Sequence, residues 1–313
     1  MRLQVIQLRL EATEVISVVL ASPTGDRLPA WAAGAHIAIT LPSGRVRQYS
    51  LCGPRDDPYR YTIAVLRVAD GRGGSREIHE TLRIGDVVEV GAPRNAFALS
   101  SAPRYVFIAG GIGITPIAAM IDELRNTPDS PEFTLIYGGR SRAAMAFADR
   151  LAGIPGATLI PQDESGLPDI AGVFAGSPDG THVYCCGPAA MLAVVEDISS
   201  RHPRIELHVE KFTAGASPPT DRAADGAFDV ELARSGRTVT VPPDKSVLEA
   251  VLEVAPDTAF SCTGGFCGTC ETKVLAGEVD HRDDLLTEAE RAANTSMMIC
   301  VSRSLSGRLT LDL

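Results

Sequence analysis

Three cysteines lie close together in the sequence SCTGGFCGTC, and a fourth follows at a distance. Cys262, Cys267 and Cys270 have the spacing C-x4-C-x2-C, and Cys300 lies in the later apolar stretch MMICV. Three thiolates on one loop and one distant thiolate are typical of the ligands of a plant-type [2Fe–2S] cluster. Structural zinc usually takes its cysteines in two close pairs, so zinc and inert thiols are the weaker alternatives. The spacing therefore predicts an iron–sulfur cluster.

Glycines are interspersed with these cysteines. A loop around a cluster must point its backbone N–H groups at the sulfides, which requires positive φ and close approach of the backbone. We expect Gly264, Gly265 and Gly268 to supply this freedom.

The segments around the loop predict the elements that hold it. Residues 227–241 alternate as a strand hairpin, SVLEAVLEV follows as a helix, and RLTLDL closes the chain as a strand. Two capping boxes are predicted, Ser246 with Glu249 and Thr287 with Glu290. This order of elements resembles the β-grasp fold of a plant-type ferredoxin domain.

A second glycine-rich turn lies in YVFIAGGIGITPIAAMIDELR, residues 105–125. A buried strand, a turn and an amphipathic helix are predicted there, and the glycines suit this arrangement better than a membrane span. The glycines admit a pyrophosphate to the helix N-terminus, which carries positive partial charge. The candidate residues of this turn are Gly110, Gly111, Gly113, Thr115 and Pro116.

The motif GGxGxTP resembles the nucleotide turn of the ferredoxin–NADP reductase superfamily. Further strand–helix units follow, FTLIYGGR with AMAFADRLA and THVYCCGP with AAMLAVVEDISSR, and predict an open parallel sheet. In that superfamily a Cys-Gly-Pro turn lies beside the nicotinamide, and Cys186, Gly187 and Pro188 match it. A pair of small buried residues is the alternative reading of Cys185 and Cys186.

A flavin is expected from the chemistry of the nucleotide-binding and iron–sulfur segments. A nicotinamide delivers two electrons together as hydride and a [2Fe–2S] cluster accepts one, so a carrier that does both is needed between them. The first 100 residues contain alternating strands suited to a small barrel. Within them, RQYS at 47–50 resembles the superfamily's R-x-Y-S flavin motif, and GGS at 73–75 resembles its second phosphate site.

All the motifs together resemble the phthalate dioxygenase reductase-type family, which includes vanillate O-demethylase reductases. The resemblance implies FMN, NADH as the donor and a Rieske non-haem iron oxygenase as the electron acceptor. It implies that Arg47 meets the flavin phosphate, that Tyr49 packs on the ring, and that Ser50 lies near N5. We assign Thr115 to the same neighbourhood and Cys186 to the nicotinamide. The remaining candidate cofactor contacts are Ala64, Val65, Gly73, Gly74, Ser75, Arg140 and Phe212.

The predicted fold class is multidomain. A flavin-binding antiparallel β-barrel spans 1–100, an NAD(P)H-binding α/β domain 101–212, and a β-grasp ferredoxin domain 227–313. Residues 213–226 are rich in Ala, Pro, Gly and Asp and are predicted to form a linker. Arg140 and Arg142 follow the second nucleotide strand, so NADPH stays open as an alternative to NADH.

Composition excludes several classes of protein. The net charge of −10 argues against a nucleic-acid footprint or an anionic-membrane anchor. The N-terminus lacks an unbroken apolar segment, and we expect a cytoplasmic monomer without disulfides. A subunit of a larger dehydrogenase and a non-enzymatic redox sensor are the rival functions. The first usually has its fourth cysteine nearer the third, and the second has no need of a nucleotide half.

Negative charge is concentrated in the last third of the chain. Residues 227–313 hold 14 Asp and Glu against 8 Lys and Arg. A docking surface for a basic partner is the functional interpretation, and a solvated acidic face is the alternative. The densest acidic group comprises Glu278, Asp280, Asp283, Asp284, Glu288 and Glu290.

Overall fold

The computed structural model describes residues 1–69, 71–129, 131–212, 226–283 and 285–313. The chain divides into two compact units, residues 1–212 and 213–313, which are described separately. The predicted linker lies outside the described residues except for Gly226. Among the described residues, no helix has the length and apolar character needed to cross a membrane.

The first sheet is antiparallel and has the order β4-β3-β6-β1-β2-β5. Leu51, just after β4, bridges to Ile63 in β5, so the two edges of the sheet meet as in a barrel. Alternate side chains point inward, as the sequence pattern requires, and form one apolar core. The strands are β1 (Arg2–Ala12), β2 (Val15–Ala21), β3 (His36–Thr40), β4 (Val46–Ser50), β5 (Arg60–Leu66) and β6 (Val87–Val90), and helix α1 (Gly74–Thr81) lies between β5 and β6.

The second sheet is parallel and has the order β11-β10-β7-β8-β9. Its central strand β7 is almost wholly buried, as is expected of a strand covered on both faces. The strands are β7 (Arg104–Gly110), β8 (Phe133–Gly139), β9 (Ala157–Pro161), β10 (Thr181–Cys186) and β11 (Glu206–Glu210). The helices are α2 (Ile114–Arg125), α3 (Ala148–Ala152), α4 (Gln162–Ser165), α5 (Ile170–Ala175) and α6 (Ala189–Ser199).

Helix α3 is shorter than the stretch AMAFADRLA suggests. Phe147 has φ 59°, which is the left-handed region, so regular helix begins only at Ala148. Its ring lies under the guanidinium of Arg150, with 5.0 Å between Cζ and the ring centroid. This geometry is that of a cation–π contact.

The C-terminal unit has a five-stranded sheet of order β13-β12-β18-β14-β16 and a separate pair, β15 with β17. The hairpin, the helix and the closing strand lie where the sequence predicts them. Both predicted capping boxes are confirmed, at Ser246 and at Thr287. The elements are β12 (Phe228–Leu232), β13 (Arg237–Val241), α7 (Val247–Leu252), β14 (Glu271–Ala276), β15 (Val279–Asp280), α8 (Glu288–Ala293), β16 (Ser296–Met298), β17 (Arg303–Ser304) and β18 (Arg308–Leu311).

A buried histidine makes the barrel sensitive to acid. Burial first, and then the charge of Arg94, lower the pKa of His36 to about 4. Its Nε2 has no hydrogen-bond partner among the described residues. In the unfolded chain this histidine has an ordinary pKa near 6.5. Between pH 6.5 and about pH 4, it is therefore protonated in the unfolded chain but neutral in the folded barrel. Stability is complete above pH 6.5 and falls as the pH is lowered toward 4.

We therefore expect His36→Phe to weaken this acid dependence. In the wild type the histidine lowers the free energy of unfolding by an amount on the order of 3 kcal/mol as the pH falls from 6.5 to 4. The variant lacks that contribution. Urea unfolding followed by the fluorescence of Trp31, the one tryptophan in the sequence, reports on this unit. His79→Gln is the matched control, and an unchanged pH profile in His36→Phe contradicts the assignment.

Candidate functional site

Arg47 lies beside the start of helix α1, although Arg72, which it contacts just before the helix, is 25 positions away in the sequence. The guanidinium donates from NH2 to the carbonyl of Arg72 at 2.8 Å. A Cβ added to Gly74 would lie 2.5 Å from Arg47 Cγ and Nε, so only glycine leaves room for this side chain. Gly73 caps the helix with φ 79°, a left-handed conformation that glycine adopts without strain. The two predicted phosphate-binding segments thus form one site.

This site carries an excess of positive charge, which an anion would balance. Burial, and next the charge of Arg72, lower the pKa of Arg47, and Arg45 acts in the same direction. Only Glu77 is seen to pair with Arg45, at 3.2 Å, among the described residues. Three guanidiniums beside a helix N-terminus suit a phosphate group, because the anion offsets their mutual repulsion. The site therefore fits the phosphate of FMN.

The rest of the R-x-Y-S motif lines the inner end of β4. Burial raises the pKa of Tyr49, whose ring packs against the barrel core. Ser50 is buried, and its Oγ has no well-formed hydrogen bond among the described residues. A buried hydroxyl without a well-formed hydrogen bond is a group that a ligand's ring nitrogen can satisfy.

The two candidates on β5 point in different directions. Ala64 belongs to the core cluster that the barrel shares with the nucleotide half, and Val65 is fully buried inside the barrel. The carbonyl of Val65 contacts His79 Nε2 at 2.9 Å. The side chain of Val65 is therefore part of the barrel core, and its carbonyl is already contacted by His79.

The nucleotide turn is held against the Cys-Gly-Pro turn. A Cβ on Gly113 would lie 2.2 Å from the carbonyl oxygen of Cys186, and one on Gly110 would lie 2.6 Å from Pro188 Cδ. Gly111 differs, because its φ is 55° and no atom would lie within 4 Å of an added Cβ. Gly110 and Gly113 therefore allow the two turns to pack closely. Of the three glycines, Gly111 is the one with open space beside it for a pyrophosphate.

Thr115 and Pro116 lie in the first turn of α2, and both are buried. The Thr115 hydroxyl donates to the carbonyl of Ile112 at 3.0 Å. Its proton is thus used inside the turn, which leaves Ser50 as the candidate donor toward a flavin. From the sequence, the hydroxyls of both Ser50 and Thr115 were assigned to the neighbourhood of the flavin N5.

Cys186 faces a carboxyl group that sequence reasoning missed. Its Sγ lies 3.9 Å from Glu210 Oε2, and burial raises the pKa of the thiol well above its ordinary value. Burial also raises the pKa of Glu210 to about 8, although Cys186 and Ser50 partly oppose this. Ser50, Cys186 and Glu210 therefore meet from the barrel and from two adjacent strands. The alternation in ELHVE, with Glu206, His208 and Glu210 on one face, was the available signal.

The candidate nucleotide contacts farther from the turn are exposed to solvent. Arg140 follows β8 with its side chain 77% exposed, and it forms a loose ion pair with Glu14 at 4.0 Å. Arg142 pairs with Asp149 at 3.2 Å. Phe212, two residues beyond β11, is 37% exposed. An exposed guanidinium suits either a ribose or a 2′-phosphate, so the choice between NADH and NADPH stays a prediction.

The four cysteines converge in the C-terminal unit and all are buried. The N–H of Cys262 donates to Cys267 Sγ at 3.3 Å, and the N–H of Gly264 donates to Cys262 Sγ at 3.3 Å. Cys300, from beyond β16, contacts both Cys262 and Cys270 through its thiol. The side chain of Cys262, and then burial, raise the pKa of Cys267. Four buried thiols with backbone donors aimed at them fit the ligand set of a [2Fe–2S] cluster.

The loop achieves its shape differently from the prediction. Positive φ occurs at Gly265 and Gly268 as expected, but Thr263, and not Gly264, takes the third left-handed position, with φ 60°. A β-branched residue there stores strain of about 1–3 kcal/mol. A Cβ on Gly265 would meet Val301 Cγ2 at 2.7 Å, so this glycine is also needed for packing.

The predicted acidic face needs one correction. Asp283 is buried, and its Oδ2 accepts from the N–H of Leu286 at 2.8 Å, so it shapes the chain beside the cysteine loop. It is not a surface for a partner. Asp284 lies outside the described residues, whereas Glu278 and Glu288 are exposed.

Two family models match the chain. Residues 230–305 match the 2Fe-2S iron-sulfur cluster binding domain, and residues 107–158 match the oxidoreductase NAD-binding domain.

Comparison with known proteins extends the likeness to the whole chain. The phenoxybenzoate dioxygenase subunit beta of Ectopseudomonas oleovorans is 43% identical over 96% of this chain and 94% of its own. A solved structure of phthalate dioxygenase reductase is 37% identical, with a TM-score of 0.72, over 100% of this chain and 98% of its own. The chain belongs to the phthalate dioxygenase reductase family. It is accordingly an NAD(P)H-dependent flavin iron–sulfur oxidoreductase with [2Fe–2S] and NAD-binding domains.

A longer solved structure is also similar. An intact type IV self-sufficient cytochrome P450 monooxygenase is 42% identical with a TM-score of 0.85. The match covers 100% of this chain but 41% of that one, so this chain corresponds to part of the longer protein.

We expect Arg47→Ala to weaken FMN binding. The substitution removes a charge-assisted contact worth roughly 1.5–3 kcal/mol, which is about a ten- to hundredfold loss of affinity. Fluorescence titration of the flavin-free protein with FMN measures it. Arg76→Ala, which removes a guanidinium paired with Glu80 on the same helix, is the control. Equal affinities in both variants and the wild type would show that Arg47 does not hold the phosphate.

We expect Glu210→Gln to stabilise unit 1–212 in alkali. The folded state keeps the carboxyl proton up to about pH 8, whereas the unfolded chain releases it near 4.5. The stability that this proton confers is complete below pH 4.5 and is lost as the pH rises through 8. The variant, always neutral, should match the wild type at low pH and exceed it above pH 8 in thermal unfolding. If the midpoint of thermal unfolding differs between the variant and the wild type by the same amount at low pH and above pH 8, Glu210 is not a buried carboxyl group with a raised pKa.

Proposed function

We propose that this chain is the NADH-dependent reductase of a Rieske-type non-haem iron oxygenase that acts on aromatic acids, by ring hydroxylation or O-demethylation. The observation that carries the proposal is the presence in one chain of three sites, namely the Arg47 phosphate site, the paired nucleotide turns and the buried four-cysteine loop. Two relatives supply the class of partner, because their names are those of a dioxygenase subunit and a dioxygenase reductase.

The residues have distinct tasks in this reaction. Arg47 and the α1 N-terminus hold the FMN phosphate, and Tyr49 and Ser50 orient the ring. The Gly111 turn and Arg140 hold the dinucleotide, while Cys186 and Glu210 close the space around the nicotinamide. The chemistry that bound FMN supplies is acceptance of a hydride and release of its electrons one at a time. Cys262, Cys267, Cys270 and Cys300 hold the cluster that passes these electrons on.

A second candidate is a reductase for a cytochrome P450. It is favoured by the likeness of the whole chain to part of a self-sufficient P450. The chemistry within this chain is the same for both candidates, so they differ only in the acceptor protein. A monomeric state and a cytoplasmic location remain predictions from the sequence.

Loss of the fourth cysteine tests the electron path. Cys300→Ser should lose its cluster and most NADH-dependent reduction of cytochrome c, while reduction of ferricyanide, which can take electrons from flavin, continues. Cys185→Ala is the matched control, because this buried thiol lies in the parallel sheet. Retention of the cluster and of both activities in Cys300→Ser would mean that Cys300 is not a ligand.

The acceptor itself is tested by supplying the reduced protein with a purified Rieske oxygenase or a purified P450 encoded beside this chain. We expect reduction of the Rieske centre within one turnover, slowed by added salt because the ferredoxin third is acidic. Reduction of the P450 alone would replace the first candidate by the second.

A further inference from the structure

A group of titratable residues lies at the end of the parallel sheet opposite the nucleotide turns. His182 is the second residue of β10 and pairs in register with Glu206, which opens β11, and Tyr184 pairs with His208. Because side chains alternate along a strand, His182, Tyr184 and Cys186 share one face of the sheet with Glu206, His208 and Glu210. The pair Cys186 and Glu210 belongs to the redox site. The pair at the other end has no role in it.

Two imidazoles and one carboxylate converge there. His208 Nε2 lies 3.1 Å from His182 Nδ1 and 3.3 Å from Glu206 Oε1. The second carboxylate oxygen, Oε2, lies 3.2 Å from His182 Nε2. One donor atom from each of the three residues lies within 4.8 Å of the other two.

These spacings are those of metal ligands. Zinc holds nitrogen and oxygen ligands at about 2.0–2.2 Å, which sets neighbouring ligands in a tetrahedron about 3.3 Å apart. The 3.1 and 3.3 Å separations around His208 Nε2 match that edge length. We propose that His182, Glu206 and His208 form a divalent transition-metal site of the zinc class, with an open fourth position.

Hydrogen bonds already orient the ligands. With both rings neutral, His208 Nε2–H donates to His182 Nδ1, and His182 Nε2–H donates to Glu206 Oε2. A cation replaces the proton on His208 Nε2, which moves to Nδ1 as the ring changes tautomer. The bond from His182 to Glu206 Oε2 survives and fixes both groups, as outer-shell contacts do in known metal sites.

The surroundings are rigid on one side and open on the other. The His208 ring stacks on Tyr184, with 4.3 Å between centroids and 11° between planes. Tyr184 in turn holds the chain between the two sheets, because its hydroxyl contacts the N–H of Ser100 at 2.7 Å. The Glu206 side chain is 61% exposed, against 14% for His182. A cation can thus enter from solvent and keep a water as its fourth ligand.

Such a cation would tie β11, an edge strand of this sheet, to β10. These strands carry Glu210 and Cys186 at their other ends. Binding should therefore stabilise unit 1–212 by mass action, since the unfolded chain does not hold the three ligands together. The established redox chemistry does not need this site.

Zinc titration of the oxidised holoprotein tests the proposal, because there the four cysteines are occupied by the cluster. We expect one zinc per chain by elemental analysis after gel filtration, and a higher midpoint of thermal unfolding. Glu206→Gln and His182→Gln should weaken zinc binding at least about tenfold. His208→Phe keeps a ring against Tyr184 and should abolish binding and the thermal shift together.

The control is His79→Gln, which removes an imidazole from α1 and should leave zinc binding unchanged. The iron content of every variant is measured, so that zinc in a damaged cysteine loop is recognised. Absence of bound zinc in the wild type, or equal binding in His208→Phe with the cluster intact, would overturn the proposal.

Discussion

The contact between two backbone turns at the carboxyl end of the parallel sheet is the constraint on which the nucleotide half depends. The carbonyl oxygen of Cys186 occupies the space that a side chain at position 113 would need. Because neither turn can move away without leaving its strand, helix α2, strand β7 and strand β10 are fixed relative to one another. The open position of Gly111 and the orientation of Cys186 both follow from this contact.

Electrostatics complements this steric constraint at both cofactor sites. Arg45, Arg47 and Arg72 lie close enough for burial and mutual repulsion to lower the pKa of Arg47. The four buried thiols present the opposite case, since as thiolates they need a compensating cation. Each site therefore suits a group of opposite charge, which is phosphate at the proposed barrel site and iron in the ferredoxin unit.

The proposed redox site of the first unit is assembled from distant parts of the chain. Ser50 comes from the barrel, and Cys186 and Glu210 come from two neighbouring strands of the parallel sheet. The raised pKa of Glu210 keeps a neutral acid beside the thiol at neutral pH. In the proposed function, a neutral carboxyl group there would avoid placing a charge beside the bound flavin and nicotinamide.

Local patterns in the sequence were sufficient for much of this structure. Alternation and capping residues predicted the strands and both capping boxes, because these depend on neighbours within four residues. Cysteine spacing predicted the iron–sulfur domain, since three of its thiols lie on one loop. Phe147 shows the limit, because its left-handed φ of 59° delays the start of a helix that the residues around it favour.

Tertiary structure alone decided which side chains are buried and which meet. The sequence shows Asp283 as one of six acidic residues, but folding buries it beneath the cysteine loop. It shows three equivalent glycines, but only the approach of Pro188 and Cys186 separates Gly110 and Gly113 from Gly111. It shows Glu210, His182 and His208 far from their partners, and strand pairing brings them together. The physical reason is the same in each case, since burial and charge depend on contacts between residues that the chain itself keeps far apart.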